Sequence, residues 1–193
     1  MRIGVLAVQG AFAEHEAMLE QLGAEVFEIR QKRDLDRPFD GLVLPGGEST
    51  VMKKLLRELD LLEPLRRKIK AGMPVLATCA GLILLAERLT GGEPPCFATL
   101  PVTVRRNAYG RQLGSFTQEA EVRGIGPFPM AFIRAPYVEA VQNGVEVLAA
   151  VQGKMVAVRY QNQIGLAFHP ELSGRTDLHR FFLERVKQYK KQA

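Results

Sequence analysis

The sequence contains few of the residues that would mark an extracellular or nucleic-acid-binding protein. Its two cysteines, Cys79 and Cys96, are too few for a disulfide framework. It has no tryptophan and four tyrosines, so side chains that stack on single-stranded nucleic acid are scarce. No apolar run approaches the roughly 20 residues that span a bilayer. The N-terminal MRIGVLAVQG is typical of a first strand and not of a signal peptide. We therefore expect a cytoplasmic protein with no membrane partner.

The net charge of +5 permits an acidic partner surface. The basic residues are dispersed, however, over segments such as 66–70, 105–106 and 187–191. This distribution favours a solvated surface, and we expect no nucleic-acid partner. Of the 193 residues, 47% are hydrophobic, so the chain (1–193) is expected to form a single domain with a substantial core.

Short apolar runs alternate with segments of helical period in the first half of the chain. The predicted strands are 2–8, 24–29, 39–47 and 74–78. Their alternation with helices predicts an α/β fold, a three-layer sandwich with a mostly parallel central sheet flanked by helices. From about 97 to 170, alternating runs with Gly and Pro predict hairpins and a partly antiparallel extension. One tight turn is predicted at Gly153–Lys154.

One of the two cysteines lies where a predicted strand meets a predicted helix, in VLATCAGLILLAERL (75–89). A residue on such a sharp turn projects at the carboxyl edge of the sheet, where open α/β proteins bind their ligands. The neighbours Ala77, Ala80 and Gly81 are small, as this crowded turn requires. Cys79 is therefore a candidate nucleophile, and a buried structural thiol is the alternative.

A cysteine nucleophile needs a base, and the sequence has three histidines. His15 and His179 fall within predicted helices and are expected at the surface. His169 follows a predicted strand and precedes a proline, and Glu171 is two positions further on. In an extended segment these two side chains point to the same side, so Glu171 can hold the imidazole as the third member of a triad. The alternative is a capping glutamate beside an exposed histidine.

Two glycine turns follow strands at the same predicted edge. LPGGEST (44–50) places backbone N–H groups at a helix start, where they suit an oxyanion or a carboxylate. Ser49 is a candidate cap for that helix. AVQGAF (7–12) offers a weaker version of the same arrangement. Taken alone, each segment is more often a simple turn.

In combination, Cys79, His169, Glu171 and the upstream PGGES resemble the triad-type class I glutamine amidotransferases. More narrowly, the chain is similar to the glutaminase subunits of pyridoxal 5′-phosphate synthase. The resemblance extends essentially end to end, through GVLAVQGAFAEHE, DGLVLPGGESTVM, TCAGLILLA, RRNAYGRQLGSF, FIRAPYVE and GLAFHPEL. It implies the flavodoxin-like fold of that class. In one departure, Ala77 stands where this elbow usually has glycine.

The resemblance implies hydrolysis of L-glutamine to L-glutamate and ammonia through a thioester on Cys79, with His169 passing a proton to the departing ammonia. It places the oxyanion hole at the N–H groups of Gly47 and Ala80. The residues that it implies for glutamine binding are Gly46, Gly47, Glu48, Ser49, Arg106, Ile133 and Arg134. It implies neither a cofactor nor a metal.

The resemblance also implies a partner, a barrel-shaped synthase subunit that takes the ammonia within a hetero-oligomeric complex. It implies that the loop at Gln9–Gly10, near the oxyanion hole, settles when this partner docks. One alternative is the glutaminase subunit of imidazole glycerol phosphate synthase, which GGEST and RRNAYGRQLGSF disfavour. Another is a catalytically silent binding relative, which the intact triad residues disfavour.

Overall fold

The computed structural model describes residues 1–106 and 114–192. The strands are β1 (Arg2–Leu6), β2 (Glu25–Ile29), β3 (Gly41–Leu44), β4 (Val75–Thr78), β5 (Ala86–Leu89), β6 (Leu100–Arg105), β7 (Ser115–Val122), β8 (Gly126–Ile133), β9 (Tyr137–Val141), β10 (Glu146–Val151), β11 (Lys154–Tyr160) and β12 (Gln163–Leu166). The helices are α1 (Phe12–Gln21), α2 (Ser49–Glu58), α3 (Leu62–Lys70), α4 (Ala80–Leu85) and α5 (Asp177–Gln192), with 3-10 turns at Lys32–Asp36 and Pro170–Leu172. None of the helices in these two ranges is long and apolar enough to cross a membrane.

Five parallel strands form one half of a ten-stranded sheet, in the order β2-β1-β3-β4-β12. Strands β3 and β4 are buried along their whole length, as expected of strands that are covered on both faces. The chain crosses from β1 to β2 through α1 and, in the opposite direction, from β3 to β4 through α2 and α3. Right-handed crossovers in opposite directions place these helices on opposite faces of the sheet. The predicted sandwich is therefore confirmed.

The second half of the sheet is largely antiparallel, as predicted. Strands β11, β9 and β6 continue from β12 in antiparallel pairs, and β10 pairs with β11. Between β10 and β11, Gln152 and Gly153 both have positive φ, 51° and 74°, as a two-residue type I′ turn requires. The turn lies one position earlier than the predicted Gly153–Lys154. The middle of RRNAYGRQLGSF, residues 107–113, lies outside the described residues, so the hairpin predicted there stays a prediction.

The helix after Cys79 is shorter than the sequence indicated. It ends at Leu85, and Ala86–Leu89 forms β5, which pairs in parallel with β6. Every residue of α4 is buried, so its apolar run carries no polar face by which periodicity could locate its end.

The carboxyl ends of β1, β3, β4 and β12 lie together, because these strands are parallel neighbours. The segments that follow these strands begin at Ala7, Pro45, Cys79 and Ala167. One edge of the sheet therefore collects both glycine turns, the cysteine and the strand-end histidine.

Candidate active site

Cys79 occupies the sharp turn between β4 and α4. Its φ of 47° and ψ of −101° lie in a region that residues with a side chain rarely adopt. The turn brings α4 so close to β3 that a Cβ at Gly81 would overlap the carbonyl oxygen of Leu44, so this position needs glycine. Ala77 is fully buried in β4, in register with Leu44 and Gly165 of the neighbouring strands. The elbow therefore forms with the additional methyl group in place.

His169 follows β12 and faces Glu171. Its backbone N–H donates to the carbonyl oxygen of Ala131 at 2.8 Å, and its Nδ1 hydrogen-bonds to Oε1 of Glu171 at 2.7 Å. The geometric reason predicted for this pair was wrong, because Pro170–Leu172 is a 3-10 turn and not an extended segment. The tight turn nevertheless directs the carboxylate towards the ring. His169 is 7% and Glu171 4% exposed, so the pair is shielded from water.

Cys79 and His169 line the same cleft, which has a volume of about 360 Å³. Gly46 lies against both, since a Cβ there would overlap Cε1 of His169 and lie 3.4 Å from Cβ of Cys79. Burial disfavours a charged imidazole, but hydrogen bonding to Cys79 and Glu171 outweighs it and raises the pKa of His169 to about 10. Burial also opposes ionisation of Glu171, yet the hydrogen bond from His169 holds the pKa of its carboxyl below the usual value. The site thus favours an imidazolium beside the thiol.

Most of the predicted site residues line this cleft: Gln9, Gly46, Gly47, Glu48, Ser49, Cys79, Arg106, Ile133, Arg134 and His169. The other three are adjacent to it. Glu171 lies behind His169, Gly10 lies against the Gly46 turn, and Ala80 begins α4. Within the described residues, no group of His, Cys, Asp and Glu is arranged to hold a metal ion.

The loop after β1 braces the glycine turn after β3. The Glu48 N–H donates to Oε1 of Gln9 at 2.7 Å, and the Ala11 N–H donates to the carbonyl oxygen of Gly46 at 3.0 Å. Gly10 has a φ of 105°, and a Cβ there would overlap that same carbonyl oxygen. Because a trans peptide directs its C=O and N–H to opposite sides, this contact fixes the direction of the N–H that follows Gly46.

Glu48, and not the predicted Ser49, caps α2. Its carboxylate accepts hydrogen bonds from the N–H groups of Thr50 at 3.1 Å and Val51 at 2.8 Å. Ser49 is instead the first residue of the helix and is buried. The cap holds the Glu48 carboxylate at the rim of the cleft, where a free N–H at the helix start would otherwise be exposed.

Three further predicted residues line the same cleft, namely Arg106, Ile133 and Arg134. Arg106 donates to Glu93 at 2.8 Å and lies 3.6 Å from Glu48. The carbonyl oxygen of Ile133 is 4.0 Å from Sγ of Cys79. Arg134 has a φ of 43°, and such strain in a non-glycine residue is concentrated at functional sites.

The other two histidines were expected at the surface, but both are fully buried. Nδ1 of His15 lies 2.9 Å from Nε2 of His179. Nε2 of His15 lies 3.1 Å from Oγ1 of Thr78 and 3.3 Å from Oε2 of Glu171. Burial lowers the pKa of both rings, that of His179 to about 3. A layer of neutral polar groups therefore lies behind the triad-like residues.

These buried histidines make the folded state sensitive to acid. Their pKa values are depressed from the ordinary 6.5, so the unfolded chain binds protons below pH 6.5 that the folded chain does not. Stability is therefore retained above pH 6.5 and lost as the pH falls, with a slope approaching about 1.4 kcal/mol per pH unit for each ring. Denaturant unfolding from pH 7 to 5 should show this loss, and the double variant His15→Asn, His179→Asn should flatten it. If the unfolding free energy of that variant fell equally steeply with pH, the acid sensitivity would not come from these two histidines.

The arrangement of this cleft on this sheet is that of a glutamine amidotransferase. A solved structure described as "Crystal structure of glutamine amidotransferase" superposes with a TM-score of 0.91 at 43% sequence identity, over 96% of this chain and 98% of that one. A glutamine amidotransferase from Thermotoga maritima shares the fold, with a TM-score of 0.63 at 18% identity over 100% of this chain and 85% of that one.

The chain belongs to the SNO glutamine amidotransferase family, whose sequence model matches residues 5–188. A relative from Desulfitobacterium hafniense (strain Y51) is 61% identical over 190 residues, covering 98% of this chain and 96% of the relative. One from Methanocorpusculum labreanum is 57% identical over 186 residues, covering 96% and 98%. One from Haemophilus influenzae (strain PittEE) is 50% identical over 190 residues, covering 97% and 99%. All three are named "Pyridoxal 5'-phosphate synthase subunit PdxT".

Proposed function

We propose that this protein hydrolyses L-glutamine to L-glutamate and ammonia in the cytoplasm, as the glutaminase subunit of a pyridoxal 5′-phosphate synthase. Membership of a glutamine amidotransferase family and the names of its relatives support this function. The observation that carries it is a single cleft in which the Cys79 thiol meets the His169 imidazole, with Glu171 hydrogen-bonded behind.

Cys79 is the proposed nucleophile and His169 its acid and base. A thiolate is the form of cysteine that attacks carbonyl carbon, and the imidazolium of His169 is the group beside the sulfur that would stabilise that charge. As the tetrahedral intermediate collapses, the C–N bond breaks and His169 gives its proton to the leaving nitrogen, which departs as ammonia. Water then adds to the thioester, His169 accepts its proton, and glutamate and the thiolate are released.

Glu171 is the proposed third member of the triad. Its Oε1 accepts from Nδ1 of His169, so the opposite nitrogen of the ring is left to exchange a proton with the sulfur or the leaving group. The carboxylate also stabilises the imidazolium in a site where little water can do so. The orientation of the His169 ring and the stability of its positive charge thus both depend on its hydrogen bond to Glu171.

Backbone N–H groups of Gly47 and Ala80 are proposed to bind the oxyanion. Ala80 is the first residue of α4, so its N–H has no partner within the helix and is available to a ligand. The direction of the Gly47 N–H is set by the contact of the preceding carbonyl with Ala11. Movement of the Gln9–Gly10 loop would therefore turn this donor towards or away from the substrate.

The amino-acid end of glutamine is proposed to lie among the rim residues, which are Gly46, Gly47, Glu48, Ser49, Arg106, Ile133 and Arg134. The guanidinium of Arg106 can pair with the α-carboxylate, and carboxylate and carbonyl oxygens such as those of Glu48 and Ile133 can accept from the α-ammonium. Arg106 is held by Glu93 at 2.8 Å, so substrate must share or replace that contact.

The proposed partner is the barrel synthase subunit, which uses the ammonia to build the cofactor. Free ammonia would be protonated and lost in water, so a complex with a protected route is the physical reason for two subunits. We expect low glutamate release from the isolated chain and a rate about 100-fold higher with the synthase present, the effect of completing one oxyanion donor. Glutamate release with and without the partner measures this, and equal rates would contradict it.

The same assay separates the alternatives when each candidate synthase is added in turn. Stimulation by the cyclase subunit of imidazole glycerol phosphate synthase, and not by the barrel subunit, would reassign the pathway. No glutamate with any partner would indicate a silent binding protein.

Gly46→Ala tests whether the cleft geometry matters for the reaction. The added methyl would lie against Cys79 and displace the His169 ring. A misplacement of about 1 Å in a catalytic group lowers turnover by about 100-fold. Gly114→Ala is the matched control, because a Cβ there meets no atom of residues 1–106 or 114–192 within 4 Å. Steady-state kinetics with the synthase should show a fall in kcat for the first variant alone. Similar loss in both variants would contradict the predicted role of the Gly46 contact.

A further inference from the structure

A chain of buried polar groups continues the proposed triad into the protein interior. It runs from His179 on α5 to His15 on α1 and then to Glu171, with Thr78 at the end of β4 beside it. His179, His15 and Thr78 have no exposed surface. Buried polar groups away from water are expected to be satisfied by one another. Each contact in this series of buried groups must therefore pair one donor with one acceptor.

Only one placement of protons suits all the contacts. If the proton between the rings is on Nε2 of His179, then Nδ1 of His15 accepts it, and the Nε2–H of a neutral His15 faces two oxygens, of Thr78 and Glu171. In the reverse placement, a bare Nε2 of His15 would face the carboxylate. The proton on Nδ1 of His179 would then have no acceptor among the described residues. The first placement is therefore the stable one.

One carboxylate oxygen of Glu171 needs a hydrogen-bond donor, and His15 is placed to supply it. Its Oε1 is used by His169, whereas Oε2 is buried and accepts no well-aligned hydrogen bond from residues 1–106 and 114–192. Nε2 of His15, at 3.3 Å, is the donor that lies near it, although its N–H is aimed more closely at Thr78. A buried carboxylate without donors is costly, so His15 holds this oxygen in place.

We infer that His15 is a positioning residue of the glutaminase reaction, which holds Glu171 in line with His169, and that His179 fixes the tautomer of His15. The inference rests on the proposed function. His15 touches neither the cleft nor the reacting atoms, so any effect on the reaction passes through its neighbours, of which Glu171 is the one that is hydrogen-bonded to His169.

The titratable groups that face His15 come from every element packed against it. They are Glu171 and His169 on the segment after β12, His179 on α5 and Glu14 beside it on α1. Of these, Glu171 is the group whose protonation would end the support of the catalytic imidazolium. Loss of a donor at Oε2 lets Glu171 keep its proton to a higher pH.

Two substitutions of His15 separate positioning from packing. An asparagine amide reaches the place of Nδ1 and keeps the contact with His179, whereas a glutamine amide reaches the place of Nε2 and keeps a donor towards Glu171. We expect His15→Asn to lower kcat about 10- to 100-fold, the range in which loss of an outer hydrogen-bond partner lowers activity at metal sites. KM should be unchanged, and the acid limb of the pH profile of kcat should move to higher pH. His15→Gln should retain turnover within a few-fold of the wild type, with the acid limb in place.

The kinetics are measured with the synthase present, and thermal unfolding of each variant is recorded beside them. Equal losses in His15→Asn and His15→Gln without a shift of the acid limb would overturn the inference and leave a packing role. Wild-type turnover in His15→Asn would also overturn it. In either case an active wild type leaves the proposed function intact, whereas an inactive wild type overturns the function itself.

A second measurement does not depend on activity. Long-range ¹H–¹⁵N spectra of the protein labelled in its histidines should show His15 and His179 both neutral and both carrying the proton on Nε2. A proton on Nδ1 of either ring would overturn the proposed direction of the chain.

Discussion

Cys79→Ala is expected to reduce glutamine hydrolysis by about 10⁶-fold, to the background rate, because removal of a nucleophile eliminates the covalent route. The variant should still bind the synthase, since the thiol lies within the cleft, only 8% exposed, and adds little to any outer surface. Glutamate release and a binding titration with the synthase measure the two properties separately. Equal loss of both would show that catalysis and docking are not separable.

Cys79→Gly is the companion variant that tests the fold. The φ of 47° and ψ of −101° strain any residue with a Cβ, and strain of this kind amounts to about 1–3 kcal/mol. Glycine removes it, so Cys79→Gly should be inactive and yet more stable to denaturant than Cys79→Ala by about 1 kcal/mol. A glycine variant less stable than the alanine variant would contradict the strained elbow.

The second large effect is expected from Glu171→Gln, which should lower kcat by about 10³- to 10⁴-fold with the synthase present. An amide cannot stabilise the imidazolium as a carboxylate does, and it can present N–H to Nδ1 of His169 and so select the wrong tautomer. In the opposite orientation the amide would instead place its NH₂ opposite the Nε2–H of His15, where Glu171 has an oxygen 3.3 Å away. Steady-state kinetics measure the loss.

The control for this substitution is Glu20→Gln, the same chemical change at an exposed position of α1. It should leave kcat and KM within about twofold of the wild type, because surface substitutions away from the core and from buried polar groups usually have small effects. If Glu171→Gln matched this control, His169 would not depend on the carboxylate and the triad assignment would fail.

The parallel half of the fold could be predicted because its strands are short apolar runs that glycine and proline turns separate. The elbow at Cys79 could be predicted for a related reason, since Gly81 and its small neighbours leave room for an abrupt change of direction. The antiparallel half was predicted only in outline. Its register depends on contacts such as that between Met155 and Val138, which local sequence does not encode.

The buried histidines were missed, although the sequence carried a signal for one of them. His15 lies on the same helical stripe as Phe12, Leu19 and Leu22, which face the core. A histidine on a buried stripe needs polar partners, and its position alone therefore argued against the surface. Which partners it has could not be predicted, because His179 is 164 positions away along the chain.

The spacing of His169 and Glu171 indicated the correct contact through an incorrect geometry. An extended segment and a 3-10 turn both bring these side chains together, and Pro170 at the start of the turn is compatible with either. The cap of α2 was missed for the opposite reason. Serine is the more usual cap, but Glu48 is one position earlier, and its side chain is long enough to reach forward to the N–H groups of Thr50 and Val51.

The central claim is that the thiolate of Cys79 attacks the side-chain carbonyl of glutamine, and covalent trapping tests it most directly. A glutamine-like chloroketone, followed by mass spectrometry of the digested protein, should label Cys79 with one equivalent, and glutamine should protect against it. Cys96 is the internal control, since burial raises the pKa of its thiol to about 11 and it should stay unlabelled. Glutamine hydrolysis that persists with Cys79 unlabelled would contradict the account.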